Sequence, residues 1–168
     1  MSKLAVLALL PVLALGGCVS MSRSSTVSSL SADWTRDGRV ETVVVKRGDG
    51  LKLTPQFDGI FRDRVKARLA TCARGARPLR LEARIDRLDK ANPVMTTVVA
   101  GANVLRGEAR LVDVATGKVV ADYKVGRTIV GGRFAIIVMG QAEEQLSDAF
   151  GDEMCKQAFP AVTAPASH

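Results

Sequence analysis

Few residues in this 168-residue chain are suited to chemistry: one histidine, three cysteines and a scatter of carboxylates. Covalent catalysis needs a nucleophile beside a base. The sole histidine is His168, the last residue, and the serines crowd between Ser20 and Ser31. No G-x-x-x-x-G-K-[ST] or G-x-S-x-G motif occurs. Gly131-Gly132-Arg133 could approach an anion but lacks the strand and helix that frame a phosphate loop. Glu82, Asp86 and Glu108 could work in pairs, as the carboxylates of glycosidases do. They alternate with arginines along strands, however, which is the pattern of a salt-bridged, solvated face. The reading is therefore of a chain that is not an enzyme. With His168 isolated in the tail, it also implies no metal and no cofactor.

Cys18 stands apart because of what precedes it. Met1-Ser2-Lys3 gives a basic start, Leu4 to Leu15 is apolar except for Pro11, and Gly16 and Gly17 supply small residues. Basic start, short apolar run and small residues are the three parts of a cleaved export signal. The run to Gly17 is too short for a spanning helix, which needs about 20 residues. The stretch Leu15-Gly16-Gly17-Cys18 resembles the lipobox of bacterial lipoproteins. That resemblance implies cleavage after Gly17, a diacylglycerol group on the Cys18 sulfur and a third acyl chain, such as palmitate, on its new amino end. Each buried CH2 contributes about 0.8 kcal/mol, and two anchoring signals already hold a protein on a membrane. Val19 stands where an aspartate tends to retain Gram-negative lipoproteins at the inner membrane. The resemblance thus implies the outer membrane, with the domain on its periplasmic face.

Removal of residues 1–17 leaves 151 residues, one domain with tails. It also removes Lys3 and takes the net charge from +7 to +6. A basic balance suits nucleic acid, an anionic membrane surface or an acidic polymer. Export argues against nucleic acid. Basic and acidic residues also interleave in Arg62-Asp63-Arg64 and from Arg80 to Lys90. The contacts for an anionic envelope polymer such as peptidoglycan would be Arg80, Arg84, Arg110 and Lys124. With Cys18 acylated, Cys72 and Cys155 form an even pair in an oxidising compartment, which favours a disulfide. It would close a loop of about 84 residues, worth up to roughly 4.5 kcal/mol on the chain-entropy model. The alternative is two buried thiols serving as small apolar residues.

The rest of the chain supplies the elements that position these residues. Ser-rich residues 18–38 read as a tether carrying the lipidated cysteine, with Trp34 either docked on the domain or at the lipid interface. The domain spans 39–160. Arg39 to Lys46 is β-branched and ends at Gly48-Asp49-Gly50, which predicts a strand. Thr54 and Pro55 suit the N-cap and first turn of a helix. In that helix Phe57, Ile60, Phe61, Val65, Leu69 and Cys72 form one stripe. Leu79, Leu81, Ala83 and Ile85 alternate with charged residues and predict a strand. Leu105 to Val114 and Lys118 to Val125 predict a hairpin turning at Thr116-Gly117, with Val119, Ala121, Tyr123 and Val125 on one face. A helix from Gln141 to Phe159 buries Ala142, Leu146, Ala149, Phe150 and Met154, and residues 161–168 are a flexible tail. The order β-α-β-β-β-α gives an α+β two-layer sandwich: a mostly antiparallel sheet with two helices on one face.

Pro93 to Leu105 and Ile129 to Gly140 are apolar and interrupted by glycine. They read as extensions of neighbouring strands or as an interaction surface. The stretch Leu79 to Val120, with Leu-Arg-Leu-Glu-Ala-Arg-Ile early and Leu-Val-Asp-Val-Ala-Thr-Gly-Lys-Val-Val late, resembles uncharacterised bacterial lipoprotein families. More distantly it resembles the periplasmic domains of the curli-secretion lipoprotein and of lipoproteins that activate penicillin-binding proteins. The resemblance implies a small α/β domain with an envelope role and carries over no catalytic residue. The expectation is an anchored periplasmic domain that binds or assembles envelope components, through another protein or through copies of itself.

Overall fold

A computed structural model describes residues 19–91, 101–131 and 141–160. The elements are β1 (Val19–Ser22), β2 (Ser25–Ser28), α1 (Ala32–Asp37), β3 (Gly38–Arg47), α2 (Phe57–Leu69), β4 (Arg77–Asp89), β5 (Gly101–Asp113), β6 (Val119–Gly131) and α3 (Ala142–Ala158). The strands make one open sheet in the order β1-β6-β5-β4-β3, with β2 following β1 along the same side of β6. Among the described strands only β3 and β4 run parallel, as the intervening helix α2 requires. The α+β class, the mostly antiparallel sheet and its cover of α2 and α3 are as the sequence predicts.

Strict alternation builds the core. Leu79, Leu81, Ala83 and Ile85 of β4, Leu105, Ala109 and Leu111 of β5, and Ala121, Tyr123 and Val125 of β6 turn inward. They meet Phe57, Phe61, Val65 and Leu69 of α2 and Leu146, Phe150 and Met154 of α3. Phe61 and Phe150 meet edge to face at 5.0 Å where the helices cross. Gly151 permits that approach, since a Cβ there would lie 2.6 Å from Arg68 Cβ. Across the β5–β6 turn, the Asp113 carboxylate accepts from the Ala115 N–H and the Thr116 hydroxyl, and Gly117 adopts φ +70°.

Four expectations need correction. Residues 19–37 are not a free tether: they form β1, β2 and α1. Their serines sit in strands because β6 supplies a template, and because Leu30 is buried with its N–H donated to the Tyr123 hydroxyl at 3.1 Å. Of the two placements left open for Trp34, docking on the domain is the one found, with the Arg77 guanidinium 3.5 Å from its ring centre. Thr54 and Pro55 do not open α2, which starts at Phe57 with Gln56 as N-cap; the Thr54 hydroxyl bonds Glu143 instead. Val119 is exposed rather than inward, because the register of the hairpin shifts between Leu111 and Val112. Ile60 is only half-buried at the edge of its stripe.

The two apolar stretches fall largely outside the described residues. Their described parts, 101–105 and 129–131, extend β5 and β6 as paired strands. The signal segment, Cys18 and the tail at 161–168 also lie outside the described residues.

Candidate interaction surfaces

Helices α2 and α3 cover one face of the sheet, and no described helix covers the other. The outward positions of β3 to β6 hold the four residues assigned to polymer contact. Register aligns Lys46, Arg84, Glu108 and Lys124 in one row, and Val44, Glu82, Arg110 and Asp122 in the next. Arg80, Arg84, Arg110 and Lys124 therefore do share a face. Its charge is close to balanced. Arg80 pairs with Glu82 at 2.7 Å, Arg84 with Asp86 at 2.9 Å and Arg110 with Asp122 at 3.3 Å, while Lys124 stands opposite Glu108. Alternating signs across neighbouring strands stabilise the sheet by a few tenths of a kcal/mol per pair. They leave little net field for a polyanion.

Cys72 and Cys155 are joined by a disulfide with Cα atoms 5.7 Å apart. It ties the turn after α2 to the last turns of α3. Beside it lies an open cleft bordered by Thr35, Arg36, Arg74, Lys156 and Phe159. Lys156 lies in the last turn of α3, a position at which a cation offsets the negative helix terminus.

Two polar clusters escape a reading by motif. Glu143 is buried at the start of α3 and gathers the Thr54 N–H at 2.9 Å, the Thr54 hydroxyl and the Lys90 ammonium at 2.7 Å. Burial alone would push its carboxyl up. The bonds from Lys90 and Thr54 outweigh that and hold it below the ordinary carboxylate value of 4.5. A carboxylate depressed on folding stabilises the fold above its unfolded pKa, and that contribution is lost as pH falls through the folded value. Stability measured by denaturant should therefore fall as pH drops below about 4.5. Replacing Lys90 with Met should flatten that acid limb; an unchanged limb would assign it to other carboxylates.

The second cluster joins β6, α3 and β1. Arg127 Nη1 lies 3.0 Å from Glu153 Oε2, with only 9% and 8% of the two side chains exposed. Arg127 Nη2 donates to the Ser20 hydroxyl, and Glu153 Oε1 accepts from Ser22 at 2.8 Å and Gln157 at 3.2 Å. Arg127 Nε has no partner within the described residues. The signal for this pair is present in the sequence. Arg127 continues the inward series Ala121, Tyr123 and Val125 by twos, and Glu153 continues Leu146, Ala149 and Phe150 at helical spacing. A cation and a carboxylate at adjoining inward positions must find each other.

Among the described residues no group of three or more His, Cys, Asp or Glu could hold a metal ion. No described helix is long and apolar enough to cross a membrane. No protein-family model matches the chain, and no curated protein matches it in sequence. Among solved structures it is similar to the PelC dodecamer from Paraburkholderia phytofirmans, at 16% identity and a TM-score of 0.45, over 83% of this chain and 99% of that one. It is similar also to protein XCC0632 from Xanthomonas campestris, of family-model DUF330, at 12% identity and a TM-score of 0.46, over 77% of this chain and 89% of that one.

Proposed function

We propose that this chain is an outer-membrane lipoprotein, held by acyl chains on Cys18, whose periplasmic domain binds or assembles envelope components without catalysing a reaction. The observation that carries the reading is Leu15-Gly16-Gly17-Cys18 behind a basic start and an apolar run. The open sheet face and the edge strands leave backbone and side chains for partner proteins or further copies of the chain.

The first test is a mass of the protein from fractionated membranes, wild type beside Cys18→Ala. A triacylated chain beginning at Cys18 in the outer-membrane fraction is expected, with the Cys18→Ala chain neither cleaved nor acylated. An unmodified chain beginning elsewhere overturns the proposal.

A second reading takes Arg80, Arg84, Arg110 and Lys124, which share one face, as contacts for peptidoglycan or another anionic polymer; the acids paired with them count against it. Salt separates the two. Polymer binding weakens steeply as salt rises, whereas apolar assembly persists.

A further inference from the structure

The open sheet face changes character along its length. Val19 pairs with Val130, which in turn pairs with Ala102, so the first residue after Cys18 lies at one end of the sheet. Ser20 and Ser22 turn toward Arg127 and Glu153 on the helix side, which leaves Val19 and Met21 on the open face, 58% and 50% exposed. Val104, Thr128 and Val130 are half-buried outward neighbours there. This end of the face is apolar on β1, β5 and β6; at its β4 border Asp89 stands opposite Val104 and pairs with Arg87.

The next row is cationic. Arg87 of β4 stands directly opposite Arg106 of β5, Arg106 opposite Gly126 of β6, and the N–H of Arg23 donates to the Gly126 carbonyl at 2.8 Å. Arg23, Arg87 and Arg106 border one shallow depression together with Met21. Like charges directly opposite on neighbouring strands oppose pairing. Arg87 has Asp89, but among the described residues neither Arg23 nor Arg106 makes an ion pair. Beyond this row the balanced pattern of Glu108, Lys124 and Arg84 takes over.

We propose that this end of the open face, Val19 and Met21 with the Arg23–Arg87–Arg106 row above them, docks on a phospholipid surface, the arginines taking the headgroup phosphates. The proposal rests on the lipoprotein reading, which puts acyl chains on the residue next to Val19. No slack separates anchor from domain, because β1 begins at Val19 and is fastened through Ser20 and Ser22. The arginine row lies about 13 Å along β5 from Ala102. Apolar side chains nearest the acyl chains and guanidinium groups above them match the layering of a lipid interface. A uniformly charged face would not. Basic residues beside an anionic bilayer contribute about fivefold each to its attraction.

The test uses the acylated protein reconstituted in vesicles of phosphatidylethanolamine and phosphatidylglycerol. Cys72 and Cys155 are bridged, so Met21→Cys or Ala115→Cys adds one free thiol for a fluorophore. The two positions lie at opposite ends of a sheet about 36 Å long, measured from Ala102 to Asp113. Bromolipid quenching should be several-fold greater at Met21→Cys, and the contrast should shrink in the Arg23→Gln/Arg106→Gln background or at high salt. Equal quenching at both positions, or a contrast indifferent to the two arginines, overturns docking while leaving the anchor intact. A mass without acyl groups, taken on the same sample, overturns the anchor reading itself.

Discussion

Replacing Arg127 with Met should destabilise the domain by about 3–5 kcal/mol, the cost of stranding a buried carboxylate. Glu153 would keep the Ser22 hydroxyl and Gln157 amide as donors but lose the only cation that reaches it among the described residues. Ser20 would lose its donor as well, so the loss should appear first in β1. Hydrogen exchange of the Val19–Ser22 amides should accelerate before that of β4 or β5. Replacing both partners, Arg127→Met with Glu153→Leu, should recover most of the loss, because apolar pairs of similar volume often match a buried ion pair. A coupling near zero in that double-mutant cycle would mean that water reaches both groups. The cluster's main work would then be to hold β1 in register.

Removing the Cys72–Cys155 bridge should cost about 2–5 kcal/mol, as expected for a native disulfide that closes a long loop. The bridge spans 83 residues of sequence and joins two helices that each reach the core from a different part of the chain. Opening it releases all of β4, β5 and β6 from that constraint in the unfolded state. The folded state keeps the Phe61–Phe150 contact and the Arg64 and Arg68 pairs with Asp148, so the native sheet should persist with a lower melting point. A shift on the order of 10 °C is expected for a chain of this size. Thermal unfolding with and without reductant, and of the Cys72→Ser/Cys155→Ser protein, measures it. Coincident melting curves would show that the unfolded chain gains no freedom on reduction.

The sheet and its two covering helices were legible in the sequence because alternation by twos and a stripe at threes and fours are local properties. Leu79 to Ile85 and Phe57 to Leu69 declare their faces without reference to any other segment. The Thr116-Gly117 turn is equally local, since few residues other than glycine adopt φ +70° there. The cysteine pair was suggested by parity and compartment, but only the side-by-side packing of α2 and α3 brings the two Cα atoms to 5.7 Å.

Residues 19–37 show where local reading stops. Their serines have no strand periodicity strong enough to stand alone. Pairing with β6 and fastening through Arg127, Glu153 and Tyr123 make them part of the sheet, and those partners lie about 100 residues away in sequence. The charged residues divide in the same way. Composition establishes a basic chain, and alternation puts Arg80, Arg84 and Arg110 on a wet face. Arg80 and Arg84 meet their acids, Glu82 and Asp86, two residues along the same strand, a spacing already present in the sequence. Arg110 meets Asp122 only through the register of β5 on β6, and Arg23 and Arg106 make no ion pair among the described residues. By itself the sequence determined the central strands β3 to β6, the two covering helices and most of their inward faces. The tertiary structure decided which polar groups meet, because pairing depends on register between distant strands, and register is fixed only when the whole sheet packs.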